Sequence, residues 1–120
     1  MPVTQAQADA LAHEWIEAWN RHDIDAVLVH YSDDVIFTSP FAVQFAGKED
    51  GTVHGKKELR AYWEKALAAH TNLHFTLHSA LPGVSSVVIY YKSSVRDLTA
   101  AETMVLDSDG KVTRVLCHYS

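Results

Sequence analysis

Residues 34–41 read Asp34-Val35-Ile36-Phe37-Thr38-Ser39-Pro40-Phe41, and the stretch beyond them ends in Val53-His54-Gly55. Val35 to Thr38 predicts a short strand, which Pro40 must end because proline has no N–H to give a ladder. Residues 41–53, with Gly47 and Gly51 among charged side chains, read as a loop. A helix then runs from about Lys56 to Ala69, with Leu59, Tyr62, Trp63, Ala66 and Leu67 on one face. This layout puts Ser39, the strand's last side chain, at the mouth of an apolar pocket.

Upstream, Thr4-Gln5-Ala6-Gln7 carries the capping-box pattern, a hydroxyl at the N-cap and Gln at N3, and predicts the start of a first helix. Its apolar residues Ala8, Leu11, Ala12, Trp15, Ala18 and Trp19 recur at three and four, so one face is buried. Asn20-Arg21-His22 breaks that helix, Asp23 caps a second over residues 24–31, and Ser32-Asp33-Asp34 turns the chain into the strand. Beyond Thr71 everything reads as strands, over residues 73–78, 87–95, 99–106 and 112–119, with a hairpin turn at Asp107-Ser108-Asp109-Gly110. Helices first and strands after predict an α+β fold, with three N-terminal helices packed in the concave face of a curved, mainly antiparallel sheet. Residues 1–120 form one domain, and a sheet curled around helices leaves a tapered interior suited to a small molecule.

Composition narrows the partners. The net charge of -5 and the scattered ten basic residues speak against a nucleic-acid surface, which needs clustered Lys and Arg. No apolar run approaches the roughly 20 residues that span a bilayer. A single cysteine, Cys117, permits no internal disulfide, and residues 1–5 lack a charged and then apolar leader, so a cytoplasmic location is expected.

Four segments together resemble a SnoaL-like member of the nuclear transport factor 2-like superfamily: W-I-E-A-W-N-R-H-D-I-D-A-V, Y-S-D-D-V-I-F-T-S-P-F, V-H-G-K-K-E-L-R-A-Y-W and D-G-K-V-T-R-V-L-C-H-Y. The resemblance implies a cone-shaped α+β barrel and a homodimer formed through the outer sheet face. It leaves function open, because isomerases, cyclases, dehydratases, hydrolases and inert binding modules share that fold. The ketosteroid isomerases supply a catalytic pattern to lay over the chain: an aspartate base, a first-helix tyrosine and a protonated acid on the penultimate strand. By that resemblance the base position falls on Ser39, the first-helix tyrosine on Trp15, its supporting tyrosine on Trp63, and the acid on Glu102. A further tyrosine of the network is retained as Tyr31. Ketosteroid isomerase chemistry is therefore not expected.

Glu102 is the sharpest candidate. Alternation over residues 99–106 puts it on one face with Ala100, Met104 and Leu106, an apolar row that points inward. A carboxyl there has a raised pKa and suits acid or hydrogen-bond-donor work; the plainer reading is a structural pair with an interior hydroxyl or base. Ser39 either caps a turn or binds a ligand or water. His54 either orders the loop into its helix or serves as an acid/base group at the pocket mouth. Trp15, Trp19, Phe37 and Trp63 fill the core and wall the pocket, with Tyr31 and Tyr119 as hydroxyl donors at its rim, and Met104 and Cys117 as apolar wall. The eight histidines make no metal site: His70, His74 and His78 straddle a break, and His13-Glu14-Trp15-Ile16-Glu17 ends in Glu where a zinc helix needs His. The expected ligand is a small apolar molecule handled without metal or cofactor, either with acid/base chemistry or by binding alone.

Overall fold

The Thr4 hydroxyl accepts from the Gln7 backbone N–H at 3.1 Å, and the Gln7 side chain accepts from the Thr4 N–H at 2.9 Å. This reciprocal cap starts α1, Gln5–Asn20, in a computed structural model that describes residues 2–120. Ala8, Ala12, Trp15, Ile16, Ala18 and Trp19 form its buried face. The chain then turns through His22, at φ 57, and Asp23 caps α2, Ile24–Leu28.

Three expectations about the next segment need correction. The second helix stops at Leu28, and Tyr31 opens β1, Tyr31–Thr38, rather than closing a helix. Residues 41–53 are not all loop: Pro40–Phe45 is a short helix, α3, and Thr52–His54 is a strand, β2. The reason is local. Ser39 is extended and its hydroxyl accepts from the Phe41 N–H at 3.2 Å, while Pro40 takes the first helical position, where a missing N–H costs nothing. The chain returns through Gly51, at φ 68, where a Cβ would stand 2.8 Å from the Ser39 carbonyl oxygen; the Ser39 N–H donates to the Gly51 carbonyl at 2.9 Å. Only glycine fits that crossing.

Helix α4, Gly55–Ala69, leads to β3 (Phe75–Pro82), β4 (Ser86–Ser93), a 3₁₀ turn at Val95–Asp97, β5 (Thr99–Leu106) and β6 (Val112–Tyr119). Strand β3 starts at Phe75 rather than Leu73. The Asn20 amide determines that start, accepting from the Phe75 N–H at 2.7 Å and donating to its carbonyl at 2.9 Å. The sheet order is β2-β1-β6-β5-β4-β3, and every neighbouring pair is antiparallel except β1 with β6. It is a six-stranded mixed sheet whose edges, β2 and β3, do not close on each other.

Four helices, not three, accompany this α+β sheet. α1 leans on β3 and α4 on β1, and neither makes comparable contact with β5 or β6. Over those central strands the space is filled by side chains alone. That gap positions the site.

Candidate functional site

The inner face of the sheet presents two cross-strand rows. One is Ile89, Glu102 and Cys117; the next is Tyr91, Ala100 and Tyr119. Between two tyrosines, the small Ala100 leaves room that a larger residue would fill. Trp15 and Trp19 descend from α1, Tyr62 and Trp63 from α4, and together they bound a narrow cavity of about 70 Å³. Phe41 and Phe45 of α3 and Val95 of the 3₁₀ turn complete its rim.

The aromatic wall is continuous. Trp15 stacks on Phe75 at 5.7 Å between centroids and meets Tyr91 edge-on at 5.3 Å. Trp19 meets Trp63 at 4.9 Å and an angle of 78°. Such pairs each contribute about 0.5–1.5 kcal/mol beyond the area they bury, so the rings hold one another as well as making the wall apolar.

Glu102 is 4% exposed in this wall. Its Oε2 accepts from the Tyr91 hydroxyl at 2.5 Å, whereas Oε1 is buried without a hydrogen-bond partner. Desolvation pushes its pKa up to about 7, against the smaller opposing pull of the Tyr91 hydroxyl and the Cys117 thiol on its charged form. Near neutrality the group therefore exchanges between donor and acceptor. The hydroxyls around it do not: burial, reinforced by the Glu102 charge, holds Tyr31 and Tyr91 well above the ordinary phenol range. Burial and the neighbouring thiol and carboxyl raise Tyr119 too. The Cys117 thiol is likewise pushed up by burial, so it is no nucleophile. Glu102 is the interior group that titrates within the working range.

The structure brings Glu102, Trp15, Trp19, Phe37, Trp63 and Tyr119 together around the cavity. Five other expected residues lie outside its lining. Ser39 is fully buried rather than at a mouth, and its hydroxyl is engaged at the N-terminus of α3, close to Tyr62, Tyr119 and Cys117. His54 is exposed: Val53 pairs with Phe37 on the inner face, so the next side chain must point out. Tyr31 lies behind the wall, its hydroxyl accepting from the Trp15 indole N–H at 2.9 Å. Met104, between Val87 and Val115, packs in solid core, and Cys117 sits beside Glu102 without lining the hollow.

Sequence reasoning missed Tyr91 as the acid's partner, and missed Phe41, Phe45 and His70 at the rim. Alternation through Val87 and Ile89 already puts Tyr91 inward; its pairing register with β5 is what the one-dimensional pattern lacks. Phe41 and Phe45 are one helical turn apart after a Ser-Pro start, a signal of α3. The His70 ring stands edge-on to Phe45 at 5.7 Å. Arg96, in left-handed backbone at φ 53, lays its guanidinium 5.5 Å above the Phe41 ring and donates to the Gln44 side chain at 3.4 Å. Among the described residues no group of three His, Cys, Asp or Glu side chains is placed to hold a metal, and no helix is long and apolar enough to cross a membrane.

Comparison with known proteins follows the same lines. A family model described as a SnoaL-like domain matches residues 12–115. A SnoaL-like protein of unknown function from Burkholderia thailandensis is 42% identical, with a TM-score of 0.95, over 100% of this chain and 99% of that one. AclR, a proposed hydroxylase from Streptomyces galilaeus, is 20% identical with a TM-score of 0.73, over 98% of this chain and 91% of its own. An NTF2-like protein of unknown function from Burkholderia pseudomallei is 18% identical with a TM-score of 0.77, over 94% and 90%. The last two likenesses concern the fold alone. No curated protein sequence matches the chain.

Proposed function

The chain belongs to the SnoaL-like domain family, within the nuclear transport factor 2-like fold, and from that membership we propose that its interior receives a small apolar molecule bearing a hydroxyl or carbonyl oxygen. The observation that carries the reading is the unpartnered Oε1 of Glu102 in the wall of an aromatic cavity. A buried polar atom left unpaired costs roughly 1–3 kcal/mol, and a ligand oxygen at that point would recover it. With a pKa of about 7, Glu102 donates a proton to a carbonyl oxygen or accepts one from a hydroxyl. Those are the transfers that isomerisation, cyclisation and dehydration require, and they need no cofactor.

A second reading is a binding or assembly module without turnover. It is favoured by Ser39, whose hydroxyl is engaged as a cap where an isomerase would carry its base. Phenol and toluene, matched in size, test the site itself. Phenol is expected to bind about tenfold tighter than toluene by NMR titration, and Glu102→Leu is expected to erase that preference. Equal affinities for the two in the parent protein would remove Glu102 from the site.

Pairing with a second copy is proposed through the outer sheet face. Leu81, Val88, Thr103, Leu116, Thr38 and Thr52 form one cross-strand row over all six strands, without a charge. Leu81 and Leu116 are exposed on it. An uncharged row of that length is a surface suited to burial against its own copy. Sedimentation equilibrium is expected to give twice the chain mass, and Thr103→Lys, at the centre of the row, to give the single mass. A parent protein that sediments as one chain at about 100 μM would end this proposal.

A further inference from the structure

We infer that the cavity is shaped for a ligand with oxygens at both ends, one met by Glu102 and the other by the indole N–H of Trp19. The inference rests on the reading of the cone as a binding site and narrows its ligand to a class: an uncharged, flat, single-ring molecule with a hydroxyl at one end and a carbonyl acceptor at the other.

Among the described residues, three buried side-chain polar atoms have no hydrogen-bond partner: Trp19 Nε1, Glu102 Oε1 and Ser32 Oγ. Ser32 lies on β1 outside the cavity, whereas Trp19 and Glu102 both line it. A protein interior rarely leaves such atoms unpaired, and two in one cavity wall point to a shared missing partner. The contrast with Trp15 is instructive, because its indole N–H is already satisfied by Tyr31.

The arrangement of the rings sets the ligand's shape. Trp19 touches Trp15 at 6.2 Å and Phe75 at 5.7 Å, and both of those touch Tyr91, at 5.3 and 4.6 Å. The Tyr91 hydroxyl in turn ends on Glu102. The ring contacts from Trp19 to Glu102 run through Trp15, Phe75 and Tyr91, so a molecule that reaches both lies along aromatic side chains. A flat unsaturated ring meets that requirement. An indole N–H only donates, so the ligand's end there must accept, which favours a carbonyl and excludes an ammonium. At the other end, Glu102 near its pKa accepts from a hydroxyl.

Size limits the class further. The cavity measures about 70 Å³, roughly half of the ~150 Å³ engineered cavity that takes benzene. One ring is therefore the limit, and even that needs Phe41 and Phe45 to yield at the rim.

4-Hydroxyacetophenone and phenol are the probes, titrated into protein labelled with ¹⁵N. The two-oxygen molecule is expected to bind about threefold to tenfold tighter than phenol, the range for one hydrogen bond. Trp19→Phe is expected to weaken 4-hydroxyacetophenone more than phenol and so abolish that margin, and the Trp19 indole N–H resonance to move with 4-hydroxyacetophenone but not with phenol. Equal weakening of both probes by Trp19→Phe would overturn the inference. So would a resonance that stays in place because the indole proton already rests on the Trp63 ring. In either case phenol binding would keep the site itself. Failure of both probes to bind would overturn the site and the inference together. Should Trp19→Phe fail to fold, the resonance of the parent protein still decides.

Discussion

Glu102→Gln is expected to exceed the parent protein in stability at pH 8, by up to about 3 kcal/mol, and to show no such gain at pH 4. The folded protein holds the Glu102 carboxyl near pKa 7, against 4.5 for the free group, because burial disfavours its charge. Between those values the folded chain keeps a proton that the unfolded chain releases. Stability owed to this group is therefore full below about pH 4.5, falls as pH rises through the window, and is lost above 7. Glutamine has the same shape, accepts from the Tyr91 hydroxyl and never ionises, so it removes the slope. His30 works in the opposite sense, since burial lowers its pKa and protonation then favours unfolding. That contribution is common to both proteins and cancels in their difference. Urea unfolding from pH 4 to 9 provides the measurement. A difference that stays flat across the range would mean that the carboxyl is not in a dry environment.

Trp15→Ala is expected to cost about 3–5 kcal/mol, enough to threaten folding of so small a domain. Trp15 is 1% exposed, and its ring is shared by Phe75, Tyr91 and Trp19. Its removal leaves a void that joins the existing cavity, so the neighbours have nothing to collapse onto. A hydrogen bond is lost as well: the Tyr31 hydroxyl is buried, and the Trp15 N–H is its donor. Trp15→Phe keeps most of the ring and loses that bond, whose share is about 1–3 kcal/mol. Tyr31→Phe introduced beside Trp15→Phe is expected to return some of the loss, because it removes the hydroxyl left alone. Urea midpoints of the four proteins decide the matter. A Trp15→Ala cost under about 1 kcal/mol would show that the aromatic wall is not what holds α1 to the sheet.

Much of this architecture is legible in one dimension. The Thr4–Gln7 cap is a four-residue pattern and forms as read. Strands β5 and β6 follow from alternation, which also puts Glu102 inward, since a side-chain period of two needs no partner to reveal it. What eludes such reading depends on distance along the chain. The local sequence of Tyr31 continues the helical spacing and predicts a helix end; parallel pairing with β6, some eighty residues on, makes it a strand residue instead. Tyr91 and Glu102 are hydrogen-bonded only because a particular register places them diagonally across two strands. Nearness to the pocket mouth suggests His54, and alternation on one face with Glu102 suggests Met104. Their exclusion follows from which face β2 turns inward and from how tightly Val87 and Val115 close on Met104.

Strand β1 has only two neighbours in the sheet, the three-residue β2 and the last strand, β6. During synthesis, then, β1 can pair only with the short β2, through Ile36, Phe37 and Thr38, until residues 112–119 have left the ribosome. Their docking closes a loop of most of the chain, a slow step that exposes a sticky segment meanwhile. A chain stalled before Val112 would offer its unpaired edge to chaperones or to aggregation.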